Sequence, residues 1–227
     1  MDWQKYAEQV AELARELLAE KSLNGTLQRI TTAAVELVDS CDAAGIMLVH
    51  GDRVESLAPT GQVVRDSDSI QHRLKEGPCF DAVRHSEQVF RVPDFTLSQP
   101  RWPAYAPEAR RLGLGSMMGF LLYTEDEELG ALNIYSRRPG AFGRTSETAG
   151  WVLASHAAVA FASARAHVQM QEALSTRHTI GEAMGILMGS GNLTEEQAFD
   201  VLRRYSQERN IKLREVAQRV CEAGSLS

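Results

Sequence analysis

Apolar residues recur through the first 20 positions at the spacing of one helix face: Trp3, Tyr6, Ala7, Val10, Leu13, Ala14, Leu17 and Leu18. Asn24-Gly25 interrupts that pattern, and Leu27, Ile30, Ala34, Leu37 and Val38 resume it, so two helices are expected. The texture changes near Ala43. Gly45-Ile46-Met47-Leu48-Val49 is a short apolar run, His50-Gly51-Asp52 a turn, and Arg53-Val54-Glu55-Ser56-Leu57 an alternating stretch, which together predict a hairpin. Between 67 and 112, prolines and glycines break the chain repeatedly, leaving room for short helices and one strand over 88–92. Two further strands, Ser116–Thr124 and Leu129–Ser136, are joined by Glu125-Asp126-Glu127-Glu128, an acidic turn that must stay in water. This order of elements describes an α+β fold, a mainly antiparallel sheet with flanking helices.

No proline falls between Glu147 and Met188, so one helix roughly 60 Å long fits the stretch. A seven-residue ladder along it stays apolar: Val152, Val159, Ala166, Ala173, Ile180 and Leu187. Its companion, His156, Ser163, Met170, Arg177 and Met184, is poorer than a leucine zipper would be. An apolar stripe on a projecting helix needs a partner, and a second copy is the simplest, with Val152, Val159, Ala166 and Ala173 as the expected dimerisation contacts. After Gly189-Ser190-Gly191, Thr194-Glu195-Glu196-Gln197 has the form of a capping box, and Ala198, Val201, Leu202 and Tyr205 give the buried face of the helix it starts. Leu213, Val216, Ala217, Val220 and Cys221 line a last helix, which Gly224 suits as a cap. The expected organisation is an N-terminal helix (1–24), an α+β domain (25–147), a helical connector (148–170) and a three-helix module (171–227).

Composition narrows the function classes. Of 227 residues, 44% are hydrophobic and 24% charged, the balance of an ordinary globular protein, and no apolar run is long enough for a membrane span. The net charge of −6 argues against coating nucleic acid by charge alone, so any such site must be local. Three scattered cysteines without a Cys-x-x-Cys pair, and an N-terminus without a basic-then-apolar stretch, lead to an expected cytoplasmic location. His72, Cys79 and His85 match no zinc spacing. Gly113-x-Gly115-x-x-x-Gly119 runs into a strand and lacks a Lys-Ser/Thr ending, so it is no phosphate loop. With no nucleophile or paired-carboxylate set, neither enzyme activity, a metal nor a cofactor is expected.

The stretch from Arg177-His178-Thr179-Ile180-Gly181-Glu182-Ala183-Met184-Gly185-Ile186-Leu187-Met188 through Leu193-Thr194, Gln197-Ala198-Phe199, Leu202-Arg203 and Lys212-Leu213-Arg214-Glu215-Val216-Ala217 resembles an ANTAR domain. Glu76-Gly77-Pro78-Cys79-Phe80-Asp81-Ala82, Val92-Pro93-Asp94, Arg101-Trp102-Pro103 and Leu129-Gly130-Ala131-Leu132-Asn133-Ile134-Tyr135-Ser136 resemble a GAF sensor domain. The pairing implies a signal-responsive transcription antitermination regulator. ANTAR proteins act as dimers on paired RNA hairpins of a nascent transcript, and holding those hairpins prevents an overlapping terminator from forming. The implied partners are therefore tandem hairpin loops in a transcript leader and a second copy of the chain, with a small-molecule GAF ligand left open and no membrane.

On that resemblance the RNA contacts are Arg177, Ala183, Gly185, Arg203, Arg204, Lys212 and Arg214. Many family members carry a lysine where this chain has Met184. From residue 171 onward seven basic residues stand against eight acidic ones, which RNA loop recognition tolerates because it also uses shape, stacking and base edges. Tyr205 and His178 could stack on bases, although Tyr205 at a buried-stripe position reads first as core. Gly181, Gly185 and Gly189 permit either close packing inside the module or close approach from outside. Cys79, Phe80, Met118, Phe120, Asn133 and Tyr135 are the candidates to line a sensor pocket beneath the short helices. Three alternatives stay open: a helix-turn-helix DNA binder using Lys212, Arg214 and Arg219, a thiol redox protein, and a pure protein-interaction module.

Overall fold

The computed structural model describes residues 1–50, 53–78, 81, 88–97, 101–124 and 128–226. It divides into two compact units, Met1–Arg165 and Ala166–Ser227. The first is a five-stranded antiparallel sheet covered on both faces. Its strands are β1 (Ala43–His50), β2 (Arg53–Leu57), β3 (Val89–Val92), β4 (Ser116–Tyr123) and β5 (Glu128–Ser136), in the order β2-β1-β5-β4-β3. The 45–57 segment forms the expected hairpin, with Ile46 opposite Leu57 and Val49 opposite Val54. Seven of the eight residues of β4 are buried, because a central strand with a layer on each side has no polar face to offer.

One layer consists of α1 (Trp3–Ala19), α2 (Leu23–Leu37) and the first turns of α5 (Arg144–Gly191). Leu13, Leu17, Leu27, Ile30, Leu153, Ala157 and Phe161 pack there against Met118, Phe120, Leu122, Leu132 and Ile134 of the sheet. The Tyr6 hydroxyl donates to the Ala149 carbonyl at 2.5 Å and fastens α1 to α5. The break between the first two helices falls at 20–22 rather than at Asn24-Gly25. Glu20 gathers the Lys21 and Ser22 amides, and the Ser22 hydroxyl accepts from Gly25 N at 3.0 Å, so Gly25 sits inside the first turn of α2.

The other layer holds α3 (Gln62–Leu74) and α4 (Tyr105–Arg111). Val64, Tyr105 and Ala109 pack there against Met47, Phe90, Val92, Met117 and Tyr135. At 13 residues, α3 is longer than the short helices expected between 67 and 112. Two acidic side chains clasp this layer together. Glu76 accepts from the amides of Ala104 (2.8 Å) and Tyr105 (2.9 Å), capping α4 from a distant stretch of chain. Asp81 accepts from Arg101 Nε (2.7 Å) and Trp102 Nε1 (2.9 Å). The Glu76–Asp81 and Arg101–Pro103 motifs are thus two halves of one fastening. Gly119 lies mid-strand in β4 with the Phe90 ring over the place a side chain would take, a packing role and not a phosphate loop.

The second unit comprises the rest of α5, then α6 (Glu195–Arg209) and α7 (Leu213–Ala223). The long helix runs through Gly189-Ser190-Gly191 instead of ending before it.

Candidate functional site

Helix starts and stops fix the geometry of the second unit. Thr194 Oγ1 accepts from Gln197 N (3.3 Å) while Thr194 N donates to Gln197 Oε1 (2.9 Å), completing the capping box expected for α6. Asn210 ends α6 in the left-handed conformation, and Ser206 Oγ donates to the Ile211 carbonyl at 2.6 Å across the turn. Gly224, also left-handed, ends α7. Ala183, Leu187, Ala198, Leu202, Val216, Ala217 and Val220 close the core between the three helices.

Four of the expected RNA-contact cations lie exposed on the α6–α7 hairpin: Arg203 and Arg204 on α6, Lys212 at the N-cap of α7 and Arg214 in its first turn. Arg203 pairs with Asp200 at 2.8 Å, and Arg204 Nε reaches the Asp200 carbonyl at 3.5 Å. Ala183 does not join them. Its methyl is fully buried in the core, so it has no surface to offer RNA and acts by letting the helices close. Tyr205 is half-buried against that core, and the Arg209 guanidinium lies 5.2 Å from its ring, which favours the packing reading over base stacking.

Arg177 and Gly185 lie elsewhere, in a groove of about 640 Å³ between α5 and the start of α6. Ile180, Gly181, Met184, Met188 and Phe199 complete its lining, and Glu195 and Glu196 stand on its rim. Nothing lies within 4 Å of where a side chain on Gly181, Gly185 or Gly189 would begin, so none of the three serves packing inside the module. Met188 and Phe199 belong to the ANTAR-like stretch but not to its expected RNA contacts. The signal was available in the sequence, since both are large apolar residues left off the buried faces once those are subtracted.

The apolar ladder divides. Val152, Val159, Ala166 and Ala173 are exposed along α5, while Ile180 and Leu187 turn into the three-helix core. Trp151 and Val159 also border a groove of about 390 Å³ in the first unit, together with Phe120 and Tyr123.

The expected sensor pocket divides too. Strand side chains alternate between faces, so Met118 and Phe120 point into the helical layer under α2 and α5, not beneath α3 and α4. Asn133 and Tyr135 do face α3 and α4. Asn133 is opposite Gly45 on one neighbouring strand and Gly119 on the other, and the space those glycines leave is taken by Val64 and the Phe90 ring. Cys79 and Phe80 lie outside the described residues. The face instead carries a buried polar cluster that the sequence reading missed. Asp68 accepts from Ser56 Oγ (2.5 Å) and Tyr135 OH (3.3 Å), and Ser67 Oγ lies 2.8 Å from Tyr105 OH. Burial pushes the Asp68 carboxyl up to about 7, against the pull of those two hydrogen bonds.

That shift sets a pH dependence. With its folded value raised above an unfolded carboxylate near 4, Asp68 stabilises the fold fully below about pH 4 and loses that contribution as the pH rises to about 7. Urea melts of the chain should lose on the order of 2 kcal/mol of sensor-unit stability between pH 5 and 7.5. Asp68→Asn should flatten that slope, and an equally steep slope in the variant would assign it to another group. Burial also pushes the Cys41 thiol up to about 12, so it supplies no thiolate at neutral pH, contrary to what a thiol redox role for it requires. Among the described residues no His/Cys/Asp/Glu group is arranged to hold a metal, and no helix is long and apolar enough to cross a membrane.

Comparison with known proteins agrees with both halves. Residues 20–162 match the GAF domain and residues 168–220 the ANTAR domain. No curated protein sequence matches the chain. Among solved structures, the fold resembles the GAF domain of a phosphoenolpyruvate-protein phosphotransferase from Coxiella burnetii (19% identity, TM-score 0.57, 73% of this chain and 98% of that one). It also resembles the GAF domain of the corresponding Acinetobacter protein (17%, TM-score 0.53, 73% and 96%). A third likeness is free methionine-R-sulfoxide reductase from Neisseria meningitidis (16%, TM-score 0.55, 70% and 90%). Identities this low carry the fold and not the chemistry.

Proposed function

The chain belongs to the GAF domain family and carries an ANTAR domain behind it, and from that premise we propose that it is a signal-responsive antitermination regulator acting as a homodimer on tandem hairpin loops of nascent RNA. An ANTAR domain is an RNA-binding antitermination domain and a GAF domain a sensor, so a regulator of this kind follows from the two together. The observation that carries the finer reading is the set of exposed cations on a folded α6–α7 hairpin: Arg203, Arg204, Lys212 and Arg214. On a chain of net charge −6 they make the local cationic site that phosphate contact requires. Self-association along α5 is supported by the apolar residues that helix leaves exposed. On the α3–α4 face of the sheet Asn133, Tyr135 and Asp68 are buried, and Val64 and the Phe90 ring fill the space beside Asn133, so a small-molecule GAF input at this face would have to displace those side chains.

A helix-turn-helix DNA reading is disfavoured by Glu215 and Glu222, which share α7 with Lys212, Arg214 and Arg219. Mobility shifts with a tandem-hairpin RNA, a single hairpin and duplex DNA separate the readings. Tight binding to the tandem RNA over both controls is expected. Equal or tighter binding to duplex DNA would replace the RNA assignment.

A further inference from the structure

On the α3–α4 side of the sheet, Val64 and the Phe90 ring leave no room beside Asn133. Open space in the first unit lies on the other side, in the groove of about 390 Å³ between α5 and the end of β4. Trp151, Ser155 and Ala158 form one wall, spaced four and three apart and so on one stripe of α5. Phe120 and Tyr123 of β4, with Gln88 just before β3, form the other. The pairing of β4 with β5 slips between Leu122 and Tyr123, a bulge of the kind that re-aims a side chain beside a binding site. It leaves Tyr123 39% exposed on one wall of the cleft, with Trp151 37% exposed on the other. Gln88 Nε2 donates to the Tyr123 hydroxyl at 3.2 Å. That bond fixes the carboxamide, leaving its oxygen to accept and the hydroxyl hydrogen to donate.

Chemistry and size choose the occupant. Among the described residues no charged side chain lines the cleft, so an ion would lose its water there for nothing. The volume falls in the range that small molecules fill. A second copy would need about 800 Å² from each partner, far more than the exposed parts of Tyr123, Trp151 and Val159 supply. We propose that this cleft binds a small, flat, uncharged heterocycle carrying a lactam or amide edge. The ring lies between the Trp151 and Tyr123 side chains, where aromatic faces favour it. Its N–H donates to the Gln88 carboxamide oxygen, and its carbonyl accepts from the Tyr123 hydroxyl. Such a ligand touches strand and helix at once, so occupancy ties α5 to the edge of the sheet. Binding there is independent of how the second unit holds RNA.

Ligand-observed NMR titrations of the full chain test it with carbostyril, a bicyclic lactam, and with quinoline, which lacks the N–H and the carbonyl. The wild type should bind carbostyril with a dissociation constant of about 1 mM or below. Quinoline should bind roughly fivefold more weakly. Ser155→Phe, at an exposed position, puts a ring into the cleft and should weaken carbostyril about tenfold or more. Gln88→Leu, also exposed, should abolish the preference for carbostyril while keeping quinoline within about twofold. Both variants should melt with the wild type, which separates a lost site from a lost fold. Equal affinities in all three proteins would put the probe elsewhere and overturn the cleft, leaving the sensor reading in place. No saturable binding of either probe would overturn it too. If Ser155→Phe turned a dimer into a monomer without loss of carbostyril affinity, the cleft would belong to a second copy and the proposal would fall.

Discussion

Replacing Lys212 and Arg214 together by alanine is expected to weaken binding to hairpin RNA roughly tenfold at 150 mM salt. Each phosphate contact on a single strand contributes about 0.7 to the slope of log affinity against log salt, so losing two should flatten it by about 1.4. The pair suits the test because neither side chain supports the fold. Lys212 occupies the N-cap of α7 but makes no side-chain cap bond, and Arg214 is exposed. The melting temperature should therefore hold while affinity falls. Titrations between 50 and 200 mM salt measure both quantities, and an unchanged slope would remove these two residues from the interface.

The second large effect is on folding. Leu202→Ala should cost about 2–5 kcal/mol, the range for deleting a fully buried leucine whose neighbours cannot close the space. Leu202 lies among Ala183, Leu187, Ala198, Val216, Ala217 and Val220, a core too small to spare that much. The melting temperature of the Ala166–Ser227 unit should drop by roughly 10 °C or more. RNA binding at 37 °C should go with it. The sensor unit should keep its own transition, since its cores share no residue with this one. Calorimetry on the variant and on Leu202→Met decides between them: methionine refills most of the volume and should cost under about 1.5 kcal/mol. Equal losses for the two would mean that burial is not what Leu202 contributes.

What was legible in the sequence follows a physical rule. Where apolar residues supply the buried face the sequence shows the element: α1 by its helical period, α6 by its period and capping box, and β4, buried on both sides, by a continuous apolar run. Where a polar group supplies it, the period disappeared. The inward face of α3 is Val64, Ser67, Asp68 and Gln71, which keeps helical spacing but not helical hydrophobicity, so a full helix read as broken chain. The Asn24-Gly25 pair reads as a turn signal, yet a serine cap three residues earlier recruits the glycine amide and overrides it. Pocket residues were misassigned for a simpler reason. Met118 and Phe120 belong to the same strand as Met117 and Gly119, and only the pairing register says which parity faces which layer. The groove glycines show the opposite case: their spacing was visible, but whether anything packs over them is a property of space that no sequence states.

Glu76 and Asp81 reach across to 101–105, and the consequence is one of inheritance as much as of structure. Each carboxylate serves groups that lie some 20 to 30 residues further along the chain. A change in either segment alone strands its counterpart: amides at the head of α4 without an acceptor, or an indole N–H and a guanidinium without theirs. The amides that meet Glu76 are supplied by any residue but proline, so that half tolerates drift at 104 and 105, whereas Asp81 is matched by the Arg101 and Trp102 side chains and should change only together with them.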